Sequence, residues 1–352
     1  MDIFKIEKSN IKRFLEELSQ KYSVFAPVEA DGIISFMEIG NEIPKQVRND
    51  NLKLDFYNTD KSPKELFFPQ SETIIPESLV LTCPDDAPVL TQNRSGEWVK
   101  ITENRAPQTA NRKPIIVFGT RPCDAKSFTL LNKVFVGGKY VDIYWQEKYD
   151  KAIIFSFACN NPRSTCFCHW VGGGPFNKEG ADVFLVDIGD AFIIEPCSEK
   201  GVAVIKATQK ATKEDLNKVV EIKNKAEVKP VELKEVFVDT ALWEELAYKC
   251  LGCGVCTYFC PTCHCFDIQD EGKGNKCKRI RIWDSCMFKQ FTQEAAGTNP
   301  RPTLKERISN RILHKFKYLP ENIGEVGCCG CGRCIINCPV NIDIRKIIQI
   351  EK

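Results

Sequence analysis

The cysteines in the last third of the chain are the residues whose type and spacing most directly indicate chemistry. Two runs share the spacing Cys-x2-Cys-x2-Cys-x3-Cys-Pro, one from Cys250 to Pro261 and the other from Cys328 to Pro339. This spacing is typical of [4Fe–4S] sites, in which three close thiolates hold one cluster and the fourth usually ligates the other. A zinc knuckle or disulfides are the alternative for such cysteines, but two runs with prolines in register favour clusters. We therefore predict two [4Fe–4S] clusters.

The fourth cysteine of each run crosses to the other cluster, which divides the eight predicted ligands into two groups. We call them set 1 and set 2. Set 1 is Cys250, Cys253, Cys256 and Cys338, and set 2 is Cys328, Cys331, Cys334 and Cys260.

Four cysteines upstream lie at or beyond the ends of predicted strands, and we call them set 3. Set 3 is Cys123, Cys159, Cys166 and Cys168. Loops at strand ends converge in open α/β sheets, so four thiolates there would suit a third [4Fe–4S] cluster. The alternative is that they are small buried side chains, as free cysteines often are. Their position beside Pro, Asp and Asn favours the third cluster.

Several residues near these cysteines are candidates for supporting roles. Arg121 and Arg333 adjoin predicted ligands and would offset the negative charge of a reduced cluster. His264 adjoins two cysteines, and we expect it to donate a hydrogen bond to cluster sulfur rather than to ligate iron. Three further cysteines could be additional ligands or could line a cluster and tune it: Cys263, Cys265 and Cys286.

Basic residues concentrate in two segments, 273–281 and 301–317. Such runs are usually solvated, and this is our expectation for Arg281, Arg307, Arg311 and Lys315. The functional alternative is that the cations offset cluster charge or steer an acidic redox partner.

The elements that must position these residues follow from apolar patterns. Strand and helix signals alternate from about residue 115 to 225, which predicts an α/β domain with a mixed sheet. A first helix is predicted after a Ser9 cap. Helix-like segments at 303–316 and 341–350 accompany the cysteine runs. We therefore predict an α+β protein, with an N-terminal α/β domain over 1–230 that carries the third site. A mostly helical ferredoxin-type dicluster domain, with an insertion between its cysteine runs, is predicted over 231–352.

Composition excludes several other classes of protein. A formal net charge of +2 gives no reason to expect nucleic acid or anionic membranes as partners. No stretch approaches the ~18 apolar residues of a membrane span, and the first residues lack the apolar core of a signal peptide. Nineteen cysteines in a chain of 352 residues indicate metal sites in a reducing cytoplasm. Neither a dinucleotide fingerprint nor a phosphate-binding loop is present.

Taken together, these motifs resemble the family that contains the A subunit of anaerobic sulfite reductase and the β (iron–sulfur) subunit of sulfhydrogenases. The matching features run through most of the chain. They are Lys64-Glu-Leu-Phe-Phe-Pro69 with Glu72, Arg121-Pro-Cys123-Asp124, Cys159 with Cys166-Phe-Cys168, Cys260-Pro-Thr-Cys-His-Cys265, Trp283-Asp-Ser-Cys286-Met, and the final cysteine run.

The resemblance implies an electron-transfer subunit of a multisubunit oxidoreductase in anaerobic metabolism, rather than a stand-alone catalyst. Its implied partners are a flavoprotein that oxidises NAD(P)H and a terminal subunit of sulfite reductase, hydrogenase, or heterodisulfide-reductase or transhydrogenase type. A ferredoxin is a further implied partner. Two alternatives remain: a catalytic subunit that binds flavin itself, and a zinc-stapled assembly protein with no redox role.

Overall fold

The structure is a computed structural model that describes residues 2–39, 52–75, 113–205, 209–231, 233, 240–273 and 276–348. The strands are β1 Phe4–Glu7, β2 Ser23–Ala30, β3 Ile33–Ile39, β4 Ser71–Ile75, β5 Ile115–Thr120, β6 Ile153–Phe157, β7 Val183–Asp187, β8 Ala191–Pro196, β9 Gln209–Lys210, β10 Phe266–Lys273 and β11 Lys276–Trp283. The α-helices are α1 Ile11–Ser19, α2 Pro122–Val136, α3 Ile143–Asp150, α4 Glu199–Val204, α5 Lys213–Lys225, α6 Thr240–Lys249, α7 Val255–Tyr258, α8 Leu304–Leu313, α9 Leu319–Ile323, α10 Arg333–Ile336 and α11 Ile344–Ile347.

The N-terminal half is built on an eight-stranded mixed sheet with the order β3-β2-β5-β6-β7-β8-β1-β9. Strands β2, β5, β6 and β7 run parallel, and the outer pairs are antiparallel. All five residues of β6 are buried, as expected of a strand covered on both faces. The predicted mixed sheet is confirmed.

Helix α1 covers one face of this sheet. Its buried side chains Ile11, Phe14, Leu15 and Leu18 recur at helical spacing, and Phe14 meets Phe155 of β6 edge-on at 6.2 Å between ring centroids. The predicted serine cap is wrong, because residues 8–10 form a 3₁₀ turn and the helix begins at Ile11.

Helices α2 and α3 lie over the core of the opposite face. Phe67, Phe128 and Trp145 are fully buried there, and the ring centroids of Phe67 and Phe128 are 4.9 Å apart. Because β5 and β6 are parallel neighbours, the loops that follow them emerge at the same edge of the sheet. Cys123 and Cys159 lie in those segments.

A second, three-stranded antiparallel sheet joins the two halves of the chain, in the order β10-β11-β4. The hairpin of β10 and β11 lies in the segment predicted to be mostly helical, and β4 comes from the N-terminal half. Arg281 of β11 was expected to be solvated, but only 4% of its surface is exposed. It forms ion pairs with Glu72 of β4, at 2.5 Å, and with Asp142.

The remainder of the C-terminal half is helical. Helix α6 packs on α8 through Trp243, Ile308 and Ile312, which are all buried. The closing helix predicted at 341–350 is a single turn, α11, within the described residues. The α+β class is confirmed, and the domain boundary at residue 230 stays a prediction.

Candidate metal centre

The two cysteine runs fold into the same local structure. Gly252 and Gly330 both have φ near 65°, and Gly254 and Gly332 both have φ near 75°. Glycine is favoured at these positions because positive φ strains other residues. A short helix follows the second glycine of each run, α7 in the first and α10 in the second. The repeated sequence therefore produces a repeated loop-and-helix unit.

A backbone amide meets the first cysteine of each run in the same way. The Gly252 amide donates to Cys250 Sγ at 3.3 Å, and the Gly330 amide donates to Cys328 Sγ at 3.4 Å. Hydrogen bonds of this kind stabilise a thiolate, which is the form that binds metal. Both loops are thus arranged to support a negatively charged sulfur.

Set 1 surrounds one cavity. All four of its cysteines line this cavity, whose wall also includes the apolar side chains of Met287, Ile308 and Ile312. The Ile342 amide donates to the sulfur of Cys338, the member contributed by the other run, at 3.3 Å. Cys253 is exposed, so this cavity has an edge at the protein surface.

Set 2 surrounds a second, more buried cavity. Its four cysteines line this cavity together with Phe167, Arg311 and Lys315. Cys260, Cys328 and Cys331 are each less than 10% exposed. Arg311 and Cys334 also line the set 1 cavity, so the two cavities are neighbours.

The basic segment 301–317 was expected to be solvated, and this expectation is wrong for three of its members. Arg307, Arg311 and Lys315 are 8%, 7% and 3% exposed. Arg311 donates from Nη2 to the carbonyl oxygen of Cys256 at 2.8 Å. Burial alone would lower the pKa of Lys315, but its electrostatic interactions with Cys260 and Cys263 outweigh burial and raise this pKa.

Set 3 lies at the sheet edge where β5 and β6 end. Cys123 is in the first turn of α2, and the other three members are in the segment after β6. The thiol groups are near enough to interact electrostatically, Cys123 with Cys159, and Cys159 with Cys166 and Cys168. Burial raises the pKa of Cys159 to about 11 and that of Cys168 to about 12. Metal binding at these thiols would release protons.

Sets 2 and 3 are in direct backbone contact. The Phe167 amide donates to the Gly330 carbonyl at 2.8 Å, and a Cβ added to Gly330 would lie 2.4 Å from the backbone nitrogen of Cys168. Cys331 of set 2 also lines a cleft with Cys159 and Cys166 of set 3. The second cysteine run and the strand-end loops therefore form one continuous region.

Arg333 links these two regions through a buried ion pair. Its guanidinium contacts both carboxylate oxygens of Asp124, at 2.6 and 3.0 Å, and donates from Nε to the Thr59 carbonyl at 3.0 Å. Another donor reaches Asn58. Arg333 and Asp124 are 2% and 1% exposed. Arg333 therefore lies between Cys334 of set 2 and the helix that carries Cys123.

Arg121 and His264, the other predicted supporting residues, lie close to backbone carbonyls, and His264 also contacts aromatic rings. Arg121 donates to the Ala158 carbonyl at 2.9 Å, and its charge opposes the burial that raises the pKa of Cys159. The His264 ring lies between those of Phe135 and His314, and its Nδ1 is 3.1 Å from the Thr262 carbonyl. Burial lowers the pKa of His264 to about 4, so it is neutral at pH 7.

The three cysteines left open form close pairs rather than one group. Cys263 meets Cys260 of set 2, and Cys265 meets Cys286, whose hydrogen bond lowers the pKa of Cys265 to about 7. Lys64, which is 2% exposed, donates to the Cys263 carbonyl at 2.8 Å. In the part of the chain that the structure describes, no three Cys, His, Asp or Glu side chains converge to hold a single metal ion.

The donor groups fit [4Fe–4S] clusters at sets 1 and 2. The four cysteines of each set line one cavity, accompanied by apolar walls, amide donors and buried cations, which are the features that hold and tune such clusters. Sequence reasoning missed the supporting roles of Lys64 and Asp124, although both lie in quoted motifs. It also missed the burial of Arg311 and Lys315. The sequence signal for this burial was that Arg311 and Lys315 are four residues apart, as are the neighbouring apolar residues Ile308 and Ile312.

Known proteins share sequence features with this chain. Residues 249–342 match the family model of the 4Fe-4S dicluster domain. The chain is similar to sulfhydrogenase 2 subunit beta of Pyrococcus furiosus, with 29% identity over 363 residues that cover 99% of this chain and 98% of that protein. No solved structure matches the chain. Among the described helices, none has the length and apolar character needed to cross a membrane. The predicted resemblance and the dicluster domain are confirmed.

Proposed function

From its likeness along almost its whole length to a sulfhydrogenase beta subunit, we propose that this chain is the iron–sulfur electron-transfer subunit of a multisubunit oxidoreductase. It transfers single electrons between subunits and is not a stand-alone catalyst. The dicluster domain at residues 249–342 supports the iron–sulfur part of this proposal.

The ligands in this proposal are the three cysteine sets. Set 1 and set 2 each hold one [4Fe–4S] cluster, and set 3 holds a third. The observation that carries the proposal is the contiguity of the sets. Arg311 lines the cavities of sets 1 and 2, and Cys331 of set 2 shares a cleft with Cys159 and Cys166 of set 3. Closely spaced centres are what a path for single electrons requires.

When bound, [4Fe–4S] clusters supply one-electron transfer, and the protein supplies position, burial and charge. Amides of Gly252, Gly330 and Ile342 donate to ligand sulfurs. Met287 in the wall of the set 1 cavity and Phe167 in the wall of the set 2 cavity exclude water from the clusters. Arg121 offsets negative charge at set 3, and Arg333, paired with Asp124, holds the second cysteine run against the helix that carries Cys123.

The proposed partners are a flavoprotein that oxidises NAD(P)H and a terminal redox subunit, with a ferredoxin as a further donor or acceptor. Similarity to a sulfhydrogenase subunit supports a hydrogenase-type complex. We place the complex in the cytoplasm, because nineteen cysteines in a chain of this length are typical of metal sites in a reducing compartment.

Anaerobic purification of the isolated chain tests this function. We expect a brown protein with acid-labile sulfide, no stoichiometric flavin, and no oxidation of NAD(P)H by the chain alone. Electron transfer from NAD(P)H should appear only when a flavoprotein partner is added. Stoichiometric flavin with NAD(P)H oxidation would instead establish that the chain is itself catalytic. A colourless protein that contains zinc and lacks labile sulfide would establish the assembly protein.

A further inference from the structure

The helix that covers the set 2 cavity carries a buried cationic face. Arg311 is near the end of α8, and Lys315 lies four residues later in a π-helix, His314–Tyr318. Single π-helical turns occur frequently at functional sites. Both cations are less than 10% exposed, although buried lysine and arginine are rare unless they have partners. Their partners are therefore informative.

Lys315 donates three hydrogen bonds. Its Nζ contacts Cys260 Sγ at 3.4 Å, Thr262 Oγ1 at 2.9 Å and the Gly327 carbonyl at 2.9 Å. An ammonium group has three N–H donors and no acceptor, so these three acceptors match its charged form. A full positive charge thus directly contacts a sulfur of set 2.

The same contacts link Cys260 of the first cysteine run to the segment before Cys328 of the second run. Gly327 precedes Cys328, and the Gly327 amide donates back to the Lys315 carbonyl at 2.7 Å. Thr262 donates to the Gly327 carbonyl at 2.8 Å and follows Cys260 by two residues. Lys315 is therefore held in place by both cysteine runs and has little freedom to move its charge elsewhere.

Set 1 has no equivalent of this lysine among the described residues that line its cavity. Arg311 lines both cavities, so its charge, which is permanent, does not distinguish them. Near set 2, the charge of Arg333 is balanced by Asp124. Among the residues that line the two cavities, Lys315 is the charged side chain by which they differ, because it lines the set 2 cavity and not the set 1 cavity.

Burial has the opposite effect to Lys315 on how easily a cluster at set 2 would be reduced. Set 2 is more buried than set 1, whose Cys253 is exposed, and burial disfavours the extra negative charge of a reduced cluster. Without Lys315, set 2 would therefore be the harder of the two sites to reduce. In a site of low dielectric constant, the attraction between a contacting cation and the added negative charge is strong enough to reverse that order.

We propose that Lys315 is a positioning residue that sets the order of the two reduction potentials, so that set 2 is easier to reduce than set 1. With clusters bound, the single electron of a half-reduced dicluster domain would reside at set 2, where the charge of Lys315 would offset it, and no other reactant would be consumed. This inference rests on the proposed function, since it requires clusters at both sets.

A redox titration of the whole chain, monitored by electron paramagnetic resonance with dithionite as reductant, tests the proposal. Cys253→Ser and Cys260→Ser identify the signals of sets 1 and 2. Lys315→Gln keeps a hydrogen-bond donor and removes the charge. We expect reduction at set 2 to become at least about tenfold less favourable, a fall of about 59 mV for one electron, with set 1 unchanged.

The controls separate charge from structure. Lys315→Arg retains the charge and should restore the wild-type order, and Lys317→Met changes an exposed lysine of the same π-helix and should change neither potential. A wild-type potential for set 2 in Lys315→Gln, or loss of its iron, would overturn the electrostatic role. Absence of iron–sulfur clusters from the wild-type chain would instead mean that the proposed function itself fails.

Discussion

The substitution Asp124→Asn tests whether the buried ion pair with Arg333 joins the N-terminal sheet to the second cysteine run. The two side chains are 1% and 2% exposed, and the guanidinium contacts both carboxylate oxygens. The change removes a negative charge while keeping nearly the same shape. It leaves a buried guanidinium whose remaining acceptors, at Thr59 and Asn58, are uncharged.

The magnitude follows from the geometry. Opposite charges about 4 Å apart attract by about 4 kcal/mol at an effective dielectric constant of about 20. Breaking a buried pair by removing one partner typically costs roughly 3–5 kcal/mol, because the other charge stays buried. For a chain of 352 residues, such a loss lowers the unfolding midpoint by about 4–7 °C.

The assay is anaerobic thermal unfolding followed by circular dichroism, at equal iron content per chain. Glu244→Gln is the matched control, because it breaks an exposed ion pair with Lys305 and should cost less than about 1 kcal/mol. The double change Asp124→Asn with Arg333→Met should cost less than the sum of its parts, because the two residues interact. A midpoint for Asp124→Asn within about 1 °C of wild type would refute the reasoning.

Two further changes test packing and charge elsewhere in the structure. Gly330→Ala should lower the free energy of unfolding by roughly 1–3 kcal/mol, because the φ of Gly330 is positive and the new Cβ would lie 2.4 Å from the backbone of Cys168. Gly174→Ala is the control: nothing lies within 4 Å of its new Cβ, so it should cost far less in the same denaturation experiment. Arg281→Met should cost roughly 3 kcal/mol, because part-buried Asp142 loses its ion-pair partner and Glu72 is left with its ion pair to Lys148. Arg279→Met, on the same strand but in a more exposed pair, should cost less than about 1 kcal/mol, and equal costs would contradict this account.

The features predicted correctly from the sequence are those determined by neighbouring residues. The β5 and β6 strands were recognisable because nearly all their residues are buried and apolar. The two cysteine runs were recognisable because spacing alone specifies the loop, and equal φ values at Gly252 and Gly330 show the same loop twice.

The features missed depend on contacts between distant parts of the chain. Lys315 is buried because Cys260 and Thr262, more than fifty residues away, accept its hydrogen bonds. A count of charges along the segment cannot reveal those acceptors. Similarly, β10 is largely polar and exposed, and it belongs to a sheet only because β11 also pairs with β4, about two hundred residues earlier.

The number of irons and labile sulfides per chain after anaerobic reconstitution tests the central claim most directly. With four irons per cluster, we expect about 12 irons in the wild-type chain and about 8 in the double substitution Cys166→Ser/Cys168→Ser. Cys197→Ser, at a free cysteine of the same half of the chain, should leave the count unchanged. The same iron content in the wild type and in the double substitution would contradict a cluster at set 3, and a wild-type chain without labile sulfide would contradict the account as a whole.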